Sequence, residues 1–297
     1  MVTERANAKI NLFLSVGKRR ADGYHDLVSA MQTLSLCDTL TIQYLPGEFT
    51  KIRLEISGAD GLPTDCRNLA YRAVEAFLKK TGRRGEVEIK LTKRIPMAAG
   101  LGGGSADAAA VLRGLNKLCG HPLSKETLCA LGETLGADVP FCILGGCAYA
   151  TGVGDRLTPL ASLPQDLVFV VACGGEGVST KEAYGLIDES REANKAFSQV
   201  PAPDAFSDLL AKEDLDLVLP YFSNDFEGVI EHLRPTVTEI KTAMKNRGAT
   251  FAMMSGSGPS VFGIFPDLQS GDAACKEFES RGIAAFLCHP AKAYFQN

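Results

Sequence analysis

The chain has 297 residues, 45% hydrophobic and 22% charged, with a formal net charge of -4 and a pI near 5.7. That length supports two domains of ordinary size, the acidic balance argues against a general nucleic-acid binder, and no stretch approaches the roughly 20 consecutive apolar residues of a membrane helix. The opening MVTERANAKI lacks the long apolar segment of a secretory signal, so a cytoplasmic protein is expected. Nine cysteines, odd in number and without a C-x-x-C pair, sit mostly in apolar runs such as PFCILGGCAYA and read as reduced core thiols. The four histidines show no His/Cys spacing of metal-site type, which argues against a structural zinc.

In chain order, KINLFLSV (residues 9–16) alternates: Ile10, Leu12, Leu14 and Val16 point one way, Lys9, Asn11, Phe13 and Ser15 the other. One face is expected to be core and the other to carry Lys9 and Asn11. KRRADGYHD follows with an Asp-Gly turn signal, then strands over 39–45 and 51–57. Helical spacing over 68–80 gives an apolar face of Leu69, Ala70, Ala73, Val74, Phe77 and Leu78 that stops at Gly82. A strand over 86–93 leads into a glycine-rich run, and after it a helix with a stripe of Ala108, Val111, Leu112, Leu115 and Leu118 ends at Gly120. Further on come a helix over 125–135, the interruption GADVPF, loops or short helices between 188 and 214, and a helix over 229–246 with a candidate break at Pro235. A strand (250–254), the turn SGSGPS, a strand (261–265), a helix (269–281) and a strand (283–287) close the pattern. The expected division is 1–160 and 161–297, with no internal repeat.

The run PMAAGLGGGSADAAA (residues 96–110) holds four glycines and six alanines. Glycine allows left-handed backbone and lets a ligand approach N–H groups without a Cβ in the way. Such N–H groups running into a helix start form an anion site, with phosphate the natural occupant and Ser105 a candidate helix cap. Taken alone, the run is equally compatible with a tight strand-to-helix turn. It lacks the G-K-[ST] of nucleotide-binding P-loops, and Ser105 breaks the G-x-G-x-x-G count of dinucleotide folds.

Residues 96–105 resemble the second motif of the superfamily named for galactokinase, homoserine kinase, mevalonate kinase and phosphomevalonate kinase: a Pro, small residues, Gly-Leu, more glycine, then Ser. ANAKINLFL (6–14) resembles its first motif and MMSGSGPSVFGIF (253–265) its third. With DGYHDL and GADVPF, the wording is most similar to the branch acting on a cytidine diphosphate-linked methylerythritol, and the likeness runs from about residue 6 to 265. The resemblance implies an α+β, two-domain fold: an N-terminal ATP-binding domain like domain 2 of ribosomal protein S5, and a C-terminal ferredoxin-like domain, with substrate between them. It implies an ATP-dependent kinase that phosphorylates the 2-hydroxyl of that substrate, in the non-mevalonate route to isoprenoids.

Phosphoryl transfer needs in-line positioning, neutralised phosphate charge and a place for the hydroxyl proton. By resemblance, the ATP cradle comprises Pro96, Met97, Ala98, Ala99, Gly100, Leu101, Gly102, Gly103, Gly104, Ser105 and Ala106, with Asn68 on the nucleotide. Asp138 is implied as catalytic base and Lys9 as the cation that orients the hydroxyl and stabilises charge in transfer. Read without the resemblance, Asp138 also fits a helix cap and Lys9 a solvated lysine on a strand edge. Tyr24 and His25 are expected at a cytosine ring, with Tyr184 completing an aromatic sandwich and Asn11 and Thr180 as hydrogen-bonding partners. Magnesium is implied by ATP chemistry, with no ligand cluster in the sequence, and Ala106 stands where many members have a second serine. The expected partners are small molecules, with no nucleic acid or membrane, and the expected state is a monomer or homodimer. Rival readings are another kinase of the superfamily, for homoserine or mevalonate, and a regulatory protein that binds nucleotide without turnover; hydride transfer is disfavoured by the failed dinucleotide count.

Overall fold

The computed structural model describes residues 1–190 and 200–295. Its first sheet grows from one long hairpin, β1 (Val2–Arg19) and β2 (His25–Pro46), paired antiparallel along nearly their whole length. The Asp-Gly signal marks the turn: Gly23 takes φ +87° and Arg20 N–H donates to Tyr24 O at 2.6 Å. β3 (Lys51–Ser57), α1 (Leu69–Thr81) and β4 (Gly85–Thr92) form a crossover unit in which β3 and β4 are parallel and β4 pairs antiparallel with β2. α1 starts where Asn68 accepts from Ala70 N–H, stops at left-handed Gly82, and buries the face that its spacing predicts. α2 (Gly103–Leu118), α3 (Lys125–Glu133), α4 (Val139–Leu144), β5 (Cys147–Thr151) and β6 (Arg156–Leu160) follow, β5 joining β2 and β6 joining β5.

β7 (Val168–Cys173) opens the second sheet and is followed by α5 (Thr180–Ser190), α6 (Pro203–Leu210) and α7 (Leu215–Val218). β8 (Ser223–Asn224) returns to the first sheet, parallel to β1 at Phe13 and Leu14. α8 (Glu227–Leu233) and α9 (Pro235–Asn246) are separated at Arg234, with Pro235 at the first position of α9, where it needs no N–H partner. β9 (Phe251–Met254), β10 (Val261–Phe265), α10 (Leu268–Ser280) and β11 (Ala284–Cys288) complete an antiparallel sheet of order β11-β7-β10-β9. That order, with its helical crossovers, is the ferredoxin-like arrangement.

One core lies between the first sheet and helices α1 to α4, a second lies between the two sheets, and a third lies between the second sheet and the helices on its outer face. Alternation sorts β7: Phe169 and Val171 face the core between the sheets, Val168, Val170 and Ala172 the outer one. β1 does not keep the alternation that residues 9–16 predict. Asn11 pairs with Met31 and Phe13 with Ala30, so Leu12 is an extra residue on β1 and the phase shifts there. Phe13 therefore enters the core between the sheets beside Ile10 and Leu12, while Leu14 turns to the side of Lys9 and Asn11.

β2 pairs with β5 over Ser29–Gln32 and with β4 from Thr39 onward, and residues 289–291 fill the space between. Ser35 N–H donates to His289 O at 2.7 Å, Ala291 N–H to Thr33 O at 2.8 Å, and Tyr294 N–H to Leu144 O at 2.8 Å. All nine cysteines are free thiols; Cys66 is exposed, while Cys37, Cys142, Cys147, Cys275 and Cys288 are buried. Among the described residues no helix is long and apolar enough to cross a membrane.

Phe13 is fully buried, edge-on to Tyr149 at 5.6 Å and to Phe206 at 5.1 Å, and so joins the first sheet to the packing beneath it. Phe13→Ala is expected to lower unfolding stability by about 3–5 kcal/mol through the cavity it leaves. Urea unfolding followed by circular dichroism measures this, and a loss below about 1 kcal/mol would show that the site collapses around the truncation.

Candidate active site

The glycine loop leaves β4 and enters α2 with Ala98, Gly100 and Gly102 at positive φ (50°, 76° and 70°). At Gly100 this is also a matter of space: a Cβ there would lie 2.2 Å from Ser255 O. The three motif segments meet through main chain here, with Lys9 N–H donating to Leu101 O at 3.0 Å and Ser260 N–H to Ala99 O at 3.3 Å. Ser255 hydroxyl adds a bond to Gly100 O at 3.2 Å, and Asn224 Nδ2 holds Met254 O and Gly256 O, each at 2.9 Å.

Ser105 is not the helix cap. α2 begins two residues before it, with left-handed Gly102 as N-cap and no capping side chain. The run of glycines allows the early start. The amides of Gly103, Gly104 and Ser105 precede the first intrahelical bond, which Ala106 donates to Gly102 O at 2.9 Å. Three amides at the positive end of a 16-residue helix thus border the cleft, an arrangement suited to phosphate.

Lys9 lies within the sheet, 6% exposed, and is not an edge lysine. Its Nζ donates to Asn11 Oδ1 at 2.9 Å and stands 3.4 Å from Asp138 Oδ2. Asn11 Nδ2 donates to Ser29 Oγ at 2.8 Å and the Ser29 hydroxyl to Phe13 O at 2.6 Å, so a chain of bonds fixes the ammonium. Asp138 occupies the N-cap position of α4 but makes no capping hydrogen bond, because its own backbone is already helical at φ −80°, ψ −13°. Its side chain is instead turned to Lys9 and remains 36% exposed. Gly102 passes against this pair: a Cβ on it would stand 3.0 Å from Lys9 Cγ and 3.8 Å from Asp138 Oδ2.

These groups line one cleft of about 530 Å³, together with Asn68, Thr180, Tyr184 and the loop from Pro96 to Ser105. Ala106 packs into the core beneath α2 and does not line it. His25 and Tyr184 come together, their rings stacked at 4.8 Å and 17° apart, with Phe226 edge-on to Tyr184 at 5.0 Å. His25 Nε2 shares a 2.8 Å hydrogen bond with Asp188 Oδ1. Neither Tyr24, 65% exposed at the hairpin tip, nor His25, buried behind Tyr184, lies in the cleft lining, and the direct stack of His25 on Tyr184 leaves no slot for a base between those two rings. Burial pushes the Tyr184 hydroxyl up to about 12, so this phenol stays neutral.

Sequence reasoning missed Ser29, Asp188 and Phe226, and it missed a charged cluster beside the loop, two members of which, Lys93 and Asp107, line the cleft. There Lys93 Nζ binds Asp38 Oδ2 and, at 2.7 Å, Asp107 Oδ2. Burial pushes Asp107 up to about 7, with Lys93 opposing and the charge of Asp38 adding. The available signal was polarity inside apolar runs: Asp38 interrupts TLSLCDTLTI and Asp107 interrupts an alanine helix.

Residues 68–146 match the GHMP kinases N terminal domain and residues 206–284 the GHMP kinases C terminal family. The chain is 39% identical over 283 residues to a 4-diphosphocytidyl-2-C-methyl-D-erythritol kinase of Clostridium beijerinckii, covering 95% of this chain and 98% of that one. To the protein of the same name from Geobacillus kaustophilus it is 42% identical over 260 residues, covering 88% and 87%. A solved 4-(cytidine 5'-diphospho)-2C-methyl-D-erythritol kinase structure superposes with a TM-score of 0.80 at 36% identity, over 98% of this chain and all of that one. A homoserine kinase from Cytophaga hutchinsonii, 21% identical with a TM-score of 0.69 over 96% of this chain and 95% of that one, shares the fold. Extensive identity along nearly the full length of both partners has one consequence: the chain belongs to the GHMP kinases and, within them, to the 4-diphosphocytidyl-2-C-methyl-D-erythritol kinase family.

Proposed function

We propose that this protein is a cytoplasmic enzyme that transfers the γ-phosphoryl group of ATP to the 2-hydroxyl of 4-diphosphocytidyl-2-C-methyl-D-erythritol. The observation that carries the reading is the Lys9–Asp138 pair, 3.4 Å apart and pressed against Gly102 where the glycine loop enters α2. The names of the relatives supply the substrate. ATP phosphates lie over the 96–105 loop, whose amides and helix end meet their charge without side chains in the way. The accepting hydroxyl lies between Lys9 and Asp138. As its oxygen bonds to the γ-phosphorus, the bond from that phosphorus to the bridging oxygen breaks, ADP departs, and the hydroxyl proton passes to the Asp138 carboxylate. Lys9, held by Asn11, orients the hydroxyl and stabilises charge spreading over the transferred group.

Among the described residues no group of three His, Cys, Asp or Glu side chains is arranged to hold a metal ion. Magnesium would then be carried mainly by phosphate oxygens and water, and the Ser105 hydroxyl and Asp138 carboxylate, which line the cleft, are the oxygens that would meet it. When bound, the ion would neutralise phosphate charge. At the other end of the cleft, Tyr184 supplies a flat aromatic surface for the cytosine, and His25, stacked on it and bonded to Asp188, holds that ring in place.

Asp138→Asn and Lys9→Ala are each expected to lower turnover by roughly 100-fold or more while ATP still binds. Steady-state ADP release and calorimetric ATP titration check this, and near-normal turnover in either variant removes that residue from the role given it. In a substrate panel, ADP should form with the cytidyl substrate and not with homoserine or mevalonate; the reverse pattern would replace the substrate assignment. Gly102→Ala introduces a side chain at positive φ against Lys9 and should lower kcat at least about tenfold, with a lowered melting temperature from the strained backbone.

A further inference from the structure

The chain leaves the first sheet at one place to form the glycine loop, and the carboxylate at that exit belongs to none of the three motifs. β4 pairs with β2 from Pro46 and Gly85 as far as Thr39 and Thr92. At the next residue, Asp38, a side chain replaces the ladder. Asp38 Oδ1 accepts the N–H groups of Arg94 at 2.5 Å and Ile95 at 2.8 Å, and Oδ2 accepts from Lys93 Nζ. Asp38 is fully buried and is not part of the cleft lining.

Lys93 carries the connection across the loop, because its ammonium also donates to Asp107 Oδ2 at 2.7 Å on the second turn of α2. One carboxylate thus holds the segment entering the loop directly and the helix leaving it through Lys93. The fit between them is close: a Cβ on Gly103 would stand 3.1 Å from Ile95 Cγ2 and 3.4 Å from Lys93 Nζ. Burying two carboxylates around one ammonium is a poor way to gain stability, since desolvation offsets most of the attraction. Asp107 Oδ1 is even left without a partner. What the cluster supplies is geometry, as both ends of a loop with three positive-φ residues are held to the sheet by directional, charge-assisted bonds.

We infer that Asp38 is the positioning residue of the nucleotide loop: it touches no substrate, and it sets where the amides of residues 100–105 stand relative to Lys9 and Asp138. The inference rests on the reading that this loop holds ATP. The function is specific to charge as well as shape. A carboxylate accepts from two amides and an ammonium together, whereas an amide in its place presents N–H groups to Lys93.

The test is Asp38→Asn in the full chain, with Asp38→Glu, which keeps the charge but displaces it, as a second variant should the first not fold. Calorimetry with ATP and magnesium is expected to give a Kd raised roughly tenfold, and kinetics a matching rise in KM for ATP, with KM for the cytidyl substrate within about twofold of wild type. Hydrogen exchange should quicken in peptides spanning 94–104 and stay unchanged in α10. A folded variant that binds ATP within about twofold of wild type, or whose two KM values rise together, overturns the inference. Wild-type protein that binds no ATP would overturn the nucleotide reading of the loop itself, and the inference with it.

Discussion

Close approach of main chain to main chain is the constraint on which the rest of this structure depends. Gly100 sits where a Cβ would meet Ser255 O at 2.2 Å, and Gly256 where one would meet Gly100 O at 2.8 Å. With Lys9 N–H bonded to Leu101 O, backbone from β1, from the glycine loop and from the turn before β10 share one small volume. A polyanion is best met there by amides, which bring fixed dipoles and need little reorganisation. The flexible cation that P-loops carry inside their own loop is absent here; the buried ammonium of Lys9 comes from a different strand and faces Asp138. With the loop amides and the Lys9 ammonium on separate elements, each is held by its own framework.

Each framework is rigid for an identifiable reason. Lys9 is fixed by bonds through Asn11 and Ser29 to the main chain of Phe13. The loop is fixed by Asp38 at the sheet and by Asn224 beneath the opposing turn. The bulge at Leu12 contributes to both, because it puts Phe13 in the core while Lys9, Asn11 and Leu14 stay on the cleft side. A one-residue slip of β1 would carry Lys9 and Asn11 into the core and apolar side chains into the cleft, so the ammonium inherits its precision from apolar packing.

Local pattern carried the elements well: the capping of α1 at Asn68 and Gly82, the alternation of β4, and the break at Pro235 follow from steric and hydrogen-bonding preferences that operate over a few residues. The glycine loop, Lys9 and Asp138 were singled out through their resemblance to kinase motifs, and the structure brings them to one cleft. The bulge was not, because alternation presupposes an unbroken ladder and nothing in KINLFLSV marks Leu12 as the extra residue. Ser105 misled for a related reason. A serine before a helical stripe is the usual cap, but three glycines upstream made an earlier start sterically free. Asp38, Asp188 and Ser29 escaped because their partners lie far away in sequence: the Asp38 contact to Ile95 spans 57 residues and the His25 contact to Asp188 spans 163.

Residues 33–35 of β2 pair with the segment at 289–291, which bears on how the chain is assembled. β2 is among the first elements to be synthesised, yet one of its edges is finished only when His289 and Ala291 arrive, His289 N–H reaching Ser35 Oγ across 254 residues. During synthesis the first sheet therefore presents an open edge until the ferredoxin-like domain has been made. Tyr294, whose hydroxyl donates to Asn7 Oδ1 at 2.6 Å, then links α4 and β1, the two elements that carry Asp138 and Lys9. The elements that carry Lys9 and Asp138 are thus tied together by a segment that is synthesised late.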